Sequence, residues 1–152
     1  MSRPHATSRD LATLDDFVPG QSASFSKTIG EVELALFVAL SGDVNPLHVD
    51  EEFARWTFFG GRIAHGLLSA SLLSTVIGTL LPGTGAIYKS QSLRFLRPVH
   101  PGDTLTATVE VRDLDRAQGD LHLATRVANQ RGEPVIEGEA VVGLLRRLRQ
   151  DG

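Results

Sequence analysis

Residues 41–48, SGDVNPLH, place an acid and an imidazole, Asp43 and His48, five positions apart. Pro46 has its φ fixed at a value that suits the first position of a helix, and it keeps Asn45 out of the helical region, so Asn45 is predicted to cap a short helix that carries His48. Asp43 and His48 then flank one helix cap and can face a common point. A carboxylate beside an imidazole fixes the tautomer of the ring and raises its basicity, and the two groups together can move the proton of a bound water near neutral pH.

A long helix rich in small residues is predicted over residues 63–81, about 28 Å at 1.5 Å per residue. Its alanine, glycine and serine residues leave little side-chain bulk, so a neighbouring backbone or a thin ligand can approach it closely. The segment also carries His65 and several serine and threonine residues, which favour a buried helix over a membrane span.

Shorter elements surround the 41–48 turn. Apolar residues at helical spacing predict a helix over 31–40 that ends at Gly42 as a glycine C-cap. Asp50 is expected to cap a second short helix through Arg55. Residues 17–28 alternate weakly between polar and apolar and predict a first strand or an extended arm.

The second half of the chain is predicted to form strands over residues 86–95, 104–113, 121–129 and 134–145, separated by turns rich in proline and glycine. The fold class is therefore α+β, with an antiparallel sheet of about five strands that wraps the long helix. That helix is apolar nearly all round, so one sheet face cannot cover it. A second subunit is expected on the other side, which makes the protein a homodimer or a higher homo-oligomer.

Composition limits the possible functions. The 152 residues suit one domain, 1–152, in which residues 1–10 read as a flexible tail without the apolar core of a signal peptide or membrane anchor. The chain has no cysteine, which excludes disulfides and thiolate chemistry and fits a reducing cytoplasm. A net charge of -3 gives no reason to expect a nucleic-acid surface. No metal site is predicted, because His48 and His65 lack a convincing third ligand.

Several motifs stand in an order that resembles the MaoC-like, R-specific enoyl-CoA hydratases over about residues 28–145. They are SGDVNPLH at 41–48, IAHGLL at 63–68, QSLRF at 91–95 and RPV at 97–99 with PGD at 101–103. The resemblance implies a single hot-dog fold, in which an antiparallel sheet wraps a central helix. It also implies the reversible hydration of a trans-2-enoyl-CoA to an (R)-3-hydroxyacyl-CoA. The expected partner is an acyl-CoA or an acyl-carrier protein, and no cofactor is expected beyond the coenzyme A of the substrate.

The family's catalytic pair falls on Asp43 and His48. The resemblance further implies that the backbone N–H of Gly66 binds the thioester oxygen as charge develops on it, and that Ser74 supports the aspartate. An N–H at the start of a helix suits the first of these roles, since the helix dipole favours negative charge there. The alternative for Ser74 is that it is simply a small residue that helps the helix to pack.

Three further residues are expected near the substrate. His65 is either a hydrogen-bonded structural group that holds the loop, so that the amide of Gly66 points inward, or a substrate contact. Gln91 either lines the substrate tunnel or makes a cross-strand polar contact. Arg94 is either solvated or in contact with a phosphate of coenzyme A or of a carrier protein, and the same choice holds for Arg97.

Two other functions compete with the hydratase hypothesis. One is a non-catalytic hot-dog subunit that binds acyl thioesters, against which the intact Asp43 and His48 argue. The other is a hot-dog acyl-CoA thioesterase, a class that shares the fold but generally lacks the Asp-x-Asn-Pro-x-His string. Release of a free thiol would favour the thioesterase, whereas loss of the conjugated-enoyl absorbance would favour the hydratase.

Overall fold

All the helices lie before residue 80 and five of the six strands follow them in the computed structural model, which describes residues 11–146. After a 3-10 turn, Leu14–Asp16, the elements are β1 (Ser22–Thr28), α1 (Glu31–Ser41), α2 (Pro46–Val49), α3 (Glu51–Arg55), α4 (Gly66–Thr79), β2 (Ala86–Gln91), β3 (Arg94–Phe95), β4 (Thr104–Asp115), β5 (Asp120–Ala128) and β6 (Pro134–Leu144). The prediction of a tail over residues 1–10 lies outside the described residues. No helix within residues 11–146 is long and apolar enough to cross a membrane.

The strands form one antiparallel sheet in the order β1-β4-β5-β6-β2, and the short β3 also pairs with β6. The last three strands, β4 to β6, are a meander, as the turn signals predicted. β1 adds to the edge of β4, where Ser22 lies opposite Glu110 and Thr28 opposite Thr104. The predicted α+β arrangement, a sheet around a long helix, is confirmed.

The core lies between α4 and the concave face of the sheet. Alternate residues of β4, including Val109 and Val111, are fully buried, as the period-2 geometry of a strand requires. On α4 the residues that face the sheet, such as Leu73 and Val76, are at most 1% exposed. Burying a side chain of this size stabilises the fold by about 1.5–3 kcal/mol. This packing fixes the axial position of α4 and therefore the position of its first turn.

Two element boundaries differ from the sequence predictions because contacts with distant parts of the chain set them. The helix predicted from residue 63 begins at Gly66, since the N–H groups of Ile63 and Ala64 donate to the carbonyls of Leu47 and Val99 instead. The strand predicted over 86–95 is broken into β2 and β3. Close passage of the chain past β6 accounts for the break, because a Cβ on Gly138 would lie only 1.8 Å from the carbonyl oxygen of Ser92.

Candidate active site

The acidic turn between α1 and α2 is built from local caps. Gly42 ends α1 with φ 75°, a left-handed value that favours glycine. Asn45 caps α2 as predicted, and its Oδ1 accepts a hydrogen bond of 3.1 Å from the N–H of Leu47. Asp43 Oδ1 in turn accepts from the N–H of Asn45 at 3.1 Å. One carboxylate oxygen of Asp43 is thus engaged with the backbone, which leaves Oδ2 directed at His48.

His48 is held in one tautomer by the main chain. Its Nδ1 lies 2.7 Å from the carbonyl oxygen of Ile63, and because a carbonyl only accepts, Nδ1 carries the proton. The other ring nitrogen, Nε2, then has a free lone pair and lies 3.9 Å from Asp43 Oδ2. This gap exceeds a hydrogen bond, but one water oxygen can lie about 2.8 Å from both atoms. The arrangement suits a pair that holds and deprotonates a water.

Arg62 ties the surrounding helices to the loop before α4. Its guanidinium bonds Glu31 of α1 at 2.6 Å and Glu51 of α3 at 3.3 Å, and its Nη1 lies 3.5 Å from the carbonyl oxygen of His48. The hydrogen bond to Glu31 is the largest cause of the raised pKa of Arg62, followed by the opposing effect of burial. The arginine stays charged and connects three elements whose relative positions define the site.

His65 joins the mouth of α4 to the acidic turn. The side chain is 2% exposed, and its Nε2–H donates to the backbone carbonyl of Asp43 at 3.0 Å. The ring stacks on that of His48 with centroids 3.8 Å apart and packs against Phe37 at 4.8 Å. His65 therefore holds the backbone at Asp43 and also forms a wall against His48. This hydrogen bond is of the structural kind that the sequence suggested for His65.

Gly66 opens α4 and lies beside the aromatic ring of Phe95. The first N–H groups of a helix have no intrahelical acceptor, so the amides at this end can donate to a ligand, and the dipole favours negative charge there. A Cβ on Gly66 would lie 2.7 Å from Cε1 of Phe95. Glycine is therefore the residue that allows the Phe95 ring and the helix start to approach this closely.

A cavity of about 610 Å³ brings these groups together, with Asp43, His48, His65 and Gly66 all in its lining. This volume is in the range of sites for small organic ligands. The rest of the wall is mainly apolar, and examples are Phe37, Phe58, Phe59, Ile63, Leu96 and Ile136. The site thus combines a small polar end with room for an apolar chain.

Three of the residues singled out from the sequence lie elsewhere in the chain and do not line this cavity. Ser74 is exposed on α4. Gln91 donates to Thr125 at 2.8 Å and accepts from the hydroxyl of Tyr88, which makes it a cross-strand polar contact on the sheet. Arg94 is exposed in β3, where it lies opposite Glu137.

Two other lining residues, Phe95 and Ser69, were given no role by sequence reasoning, whereas Arg97 was expected either in solvent or at a phosphate. Phe95 was placed in a motif without a role, yet it lies against the start of α4. Ser69 lines the cavity and is 1% exposed, although the sequence drew attention to later serines of the helix. Arg97 also lines it, and its Nη1 donates to the carbonyl of Pro134 at 2.8 Å. One sequence feature could have identified Phe95. It follows Arg94 in a predicted strand, so the two side chains lie on opposite faces of that strand.

Asp43, His48 and His65 also form a group of metal-ligand types, with one donor atom from each lying within 4.8 Å of the others. The planes of the two imidazoles are inclined by only 31°. Nitrogen lone pairs lie in the ring plane, so those of two stacked rings run side by side and do not converge on one ion at about 2 Å. The geometry suits a water between the acid and the base better than a bound cation.

Comparisons with known proteins identify the family and agree with the fold. Residues 16–131 match the family model described as "MaoC like domain". An (R)-specific enoyl-CoA hydratase of Rhodospirillum rubrum is 52% identical over 132 residues, which are 87% of this chain and 91% of that protein, and one of Aeromonas caviae is 50% identical over 125 residues, 82% and 93% of the two chains. The unliganded structure of R-hydratase PhaJ1 from Pseudomonas aeruginosa superposes with a TM-score of 0.84 at 43% identity. The match covers 90% of this chain and 88% of that chain. The chain therefore belongs to the MaoC-like family, in the group that contains these (R)-specific enoyl-CoA hydratases.

Proposed function

We propose that this protein catalyses the reversible, R-specific hydration of trans-2-enoyl-CoA thioesters. The observation that carries the proposal is the convergence of the Asp43 and His48 pair with the first turn of α4 on one largely apolar cavity. The similar hydratases support the same reaction. The cavity offers a place for an acyl chain, and the polar end offers a base, an acid and backbone donors.

In the proposed mechanism the pair holds one water between Asp43 Oδ2 and His48 Nε2. The water oxygen forms a bond to C3, the pair takes one of its protons, and the electrons of the C2–C3 double bond move toward the thioester carbonyl. A proton from the pair then forms the new bond at C2. Asp43 and His48 act jointly, and a positioned acid or base of this kind contributes about a hundred- to ten-thousand-fold in rate.

The thioester oxygen becomes enolate-like while water adds, and we assign its stabilisation to the backbone N–H of Gly66. A preorganised donor of this type is worth about a hundred- to a thousand-fold in rate. A donor at a helix N-terminus is favourable because the helix dipole already points its positive end at the oxygen. The absence of a side chain at Gly66 leaves room for the Phe95 ring, which lines the cavity beside that amide.

We further propose that the protein is a homodimer or a higher homo-oligomer. The outer face of α4 is exposed in one chain and presents the apolar Leu67, 61% exposed, beside the small residues Ser71, Ser74 and Gly78. A second copy that covers this face would bury that apolar surface. A supporting role for Ser74 remains a prediction that depends on such an assembly, since Ser74 does not line its own chain's cavity. Size-exclusion chromatography with light scattering gives the mass in solution.

The test of the reaction is the absorbance of the conjugated enoyl group of crotonyl-CoA, followed by chiral analysis of the product across acyl-chain lengths. The proposal predicts loss of the absorbance and formation of the (R)-3-hydroxyacyl-CoA. Release of free thiol would instead identify a thioesterase. An unchanged absorbance, with acyl-CoA bound in a titration, would identify a non-catalytic binding subunit.

A further inference from the structure

Two buried polar atoms beside the proposed catalytic pair have no hydrogen-bond partner among residues 11–146. They are Nδ1 of His65 and Oγ of Ser69, on residues that are 2% and 1% exposed. Both residues line the cavity together with Asp43 and His48. Buried polar groups are nearly always paired, so two unpaired ones at a single place point to a small polar ligand that bonds both.

The two atoms are complementary. The Nε2–H of His65 donates to the carbonyl of Asp43, so in the neutral ring Nδ1 is an acceptor. The hydroxyl of Ser69 has a proton to donate. In many helices a serine hydroxyl bonds the carbonyl four residues earlier, but here the carbonyl of His65 accepts only the backbone N–H of Ser69, at 3.2 Å. A donor and an acceptor are thus both left for one ligand.

The spacing suits one small ligand that both accepts and donates. The backbone hydrogen bond from Ser69 to the N-cap His65 places the two residues one turn apart. Cβ atoms one turn apart are about 5–6 Å from each other, and two hydrogen bonds of about 2.8 Å span a similar distance. The adjoining cavity is large enough to admit water, and a water molecule can accept from the serine and donate to the imidazole. Apolar acyl carbon can do neither.

We propose that Ser69 Oγ and His65 Nδ1 bind one water in the cavity wall, and that Ser69 acts through this water as a positioning residue. The water keeps Nδ1 of His65 as an acceptor and therefore keeps the proton on Nε2, where it holds the carbonyl of Asp43. Since the His65 ring also stacks on His48, Ser69 controls the placement of both groups of the catalytic pair. This inference rests on the proposed hydratase function for its kinetic consequence, whereas the water site itself does not depend on that function.

The matched variants are Ser69→Thr and Ser69→Val, which have nearly the same shape and differ by a hydroxyl. The first measurement is the ¹⁵N chemical shift of His65 Nδ1 in labelled protein. We expect similar Nδ1 chemical shifts in wild type and Ser69→Thr. In Ser69→Val the chemical shift should move toward the value of an acceptor nitrogen without a hydrogen bond. The same Nδ1 shift in the Thr and Val variants would overturn the water site, whether or not the protein is a hydratase. Ser69→Ala replaces the valine variant if the latter fails to fold.

The second measurement is steady-state hydration of crotonyl-CoA. We expect kcat of Ser69→Val to fall about five- to tenfold relative to Ser69→Thr, the effect of one hydrogen bond, with KM changed less than about twofold. Thr79→Val is the control, because Thr79 is exposed at the far end of the same helix and its hydroxyl bonds the carbonyl of Thr75. Equal kcat values for the Thr and Val variants, with a changed Nδ1 shift, would overturn the positioning role and leave the water site in place.

Discussion

Replacing Gly66 by alanine tests how closely the cavity wall controls the chemistry. The new Cβ would lie 2.7 Å from Cε1 of Phe95, whereas carbon atoms in favourable contact lie about 3.5–4.0 Å apart. The ring or the helix start must therefore move by about 1 Å. A misplacement of this size at a reacting centre can lower the rate about a hundredfold. We expect kcat/KM for crotonyl-CoA hydration to fall by about that factor.

Loss of stability does not account for such a change in rate. Alanine is favoured over glycine in a helix by about 0.5–1 kcal/mol, which offsets part of an overpacking cost of about 1–3 kcal/mol, so the midpoint of thermal unfolding of Gly66→Ala is expected to fall by only a few degrees. The double variant Gly66→Ala/Phe95→Leu removes the ring atom that the Cβ meets. The kcat/KM of the double variant should therefore lie close to that of Phe95→Leu alone, so that most of the loss caused by Gly66→Ala is recovered. A single variant with wild-type kcat/KM, or a double variant no faster than Gly66→Ala, would refute the steric reasoning.

The remaining predictions concern the pair and its supports. Asp43→Asn and His48→Gln should each lower kcat at least about a hundredfold while circular dichroism stays native; near-normal turnover removes that residue from the mechanism. Arg62→Met should lower the free energy of unfolding by about 1 kcal/mol in urea titrations, because its acidic partners are largely exposed, and 1 M salt should shrink the difference. Burial raises the pKa of Asp103, but hydrogen bonds from Gln130 and from the backbone N–H of His100 lower it by more. The pKa of Asp103 therefore lies below its usual value. Its stabilising effect is complete above its unfolded pKa of about 3.9 and is lost as pH falls through the lower folded value, so melting temperatures of Asp103→Asn should depend less on pH below about 4 than those of wild type.

Features fixed by local chemistry were predictable from the sequence. Gly42 ends α1 and Asn45 caps α2 because the conformations of glycine and of a residue before proline depend on their immediate neighbours. Asp43 and His48 could be paired for the same reason, since they are five positions apart and flank one cap. The strands of the meander also followed from turn residues and alternation.

Features fixed by distant contacts were not predictable. α4 begins at Gly66 because Ile63 and Ala64 find carbonyl partners in other parts of the chain. The importance of Ser69 among the serines of α4 was hidden for a related reason. In a helix that is apolar nearly all round, periodicity does not show which face meets the cavity, so exposed Ser74 and buried Ser69 look alike in sequence.

The backbone carbonyl of Ile63 has a consequence for engineering the cavity that we propose as the acyl pocket. The main chain of this residue orients His48, while its side chain lines the cavity. The two tasks belong to different atoms, so the side chain can be exchanged for a smaller or larger apolar one without removing the hydrogen bond that fixes the His48 imidazole. Position 63 thus offers a way to change which acyl chains fit while the proton chemistry is left as it is.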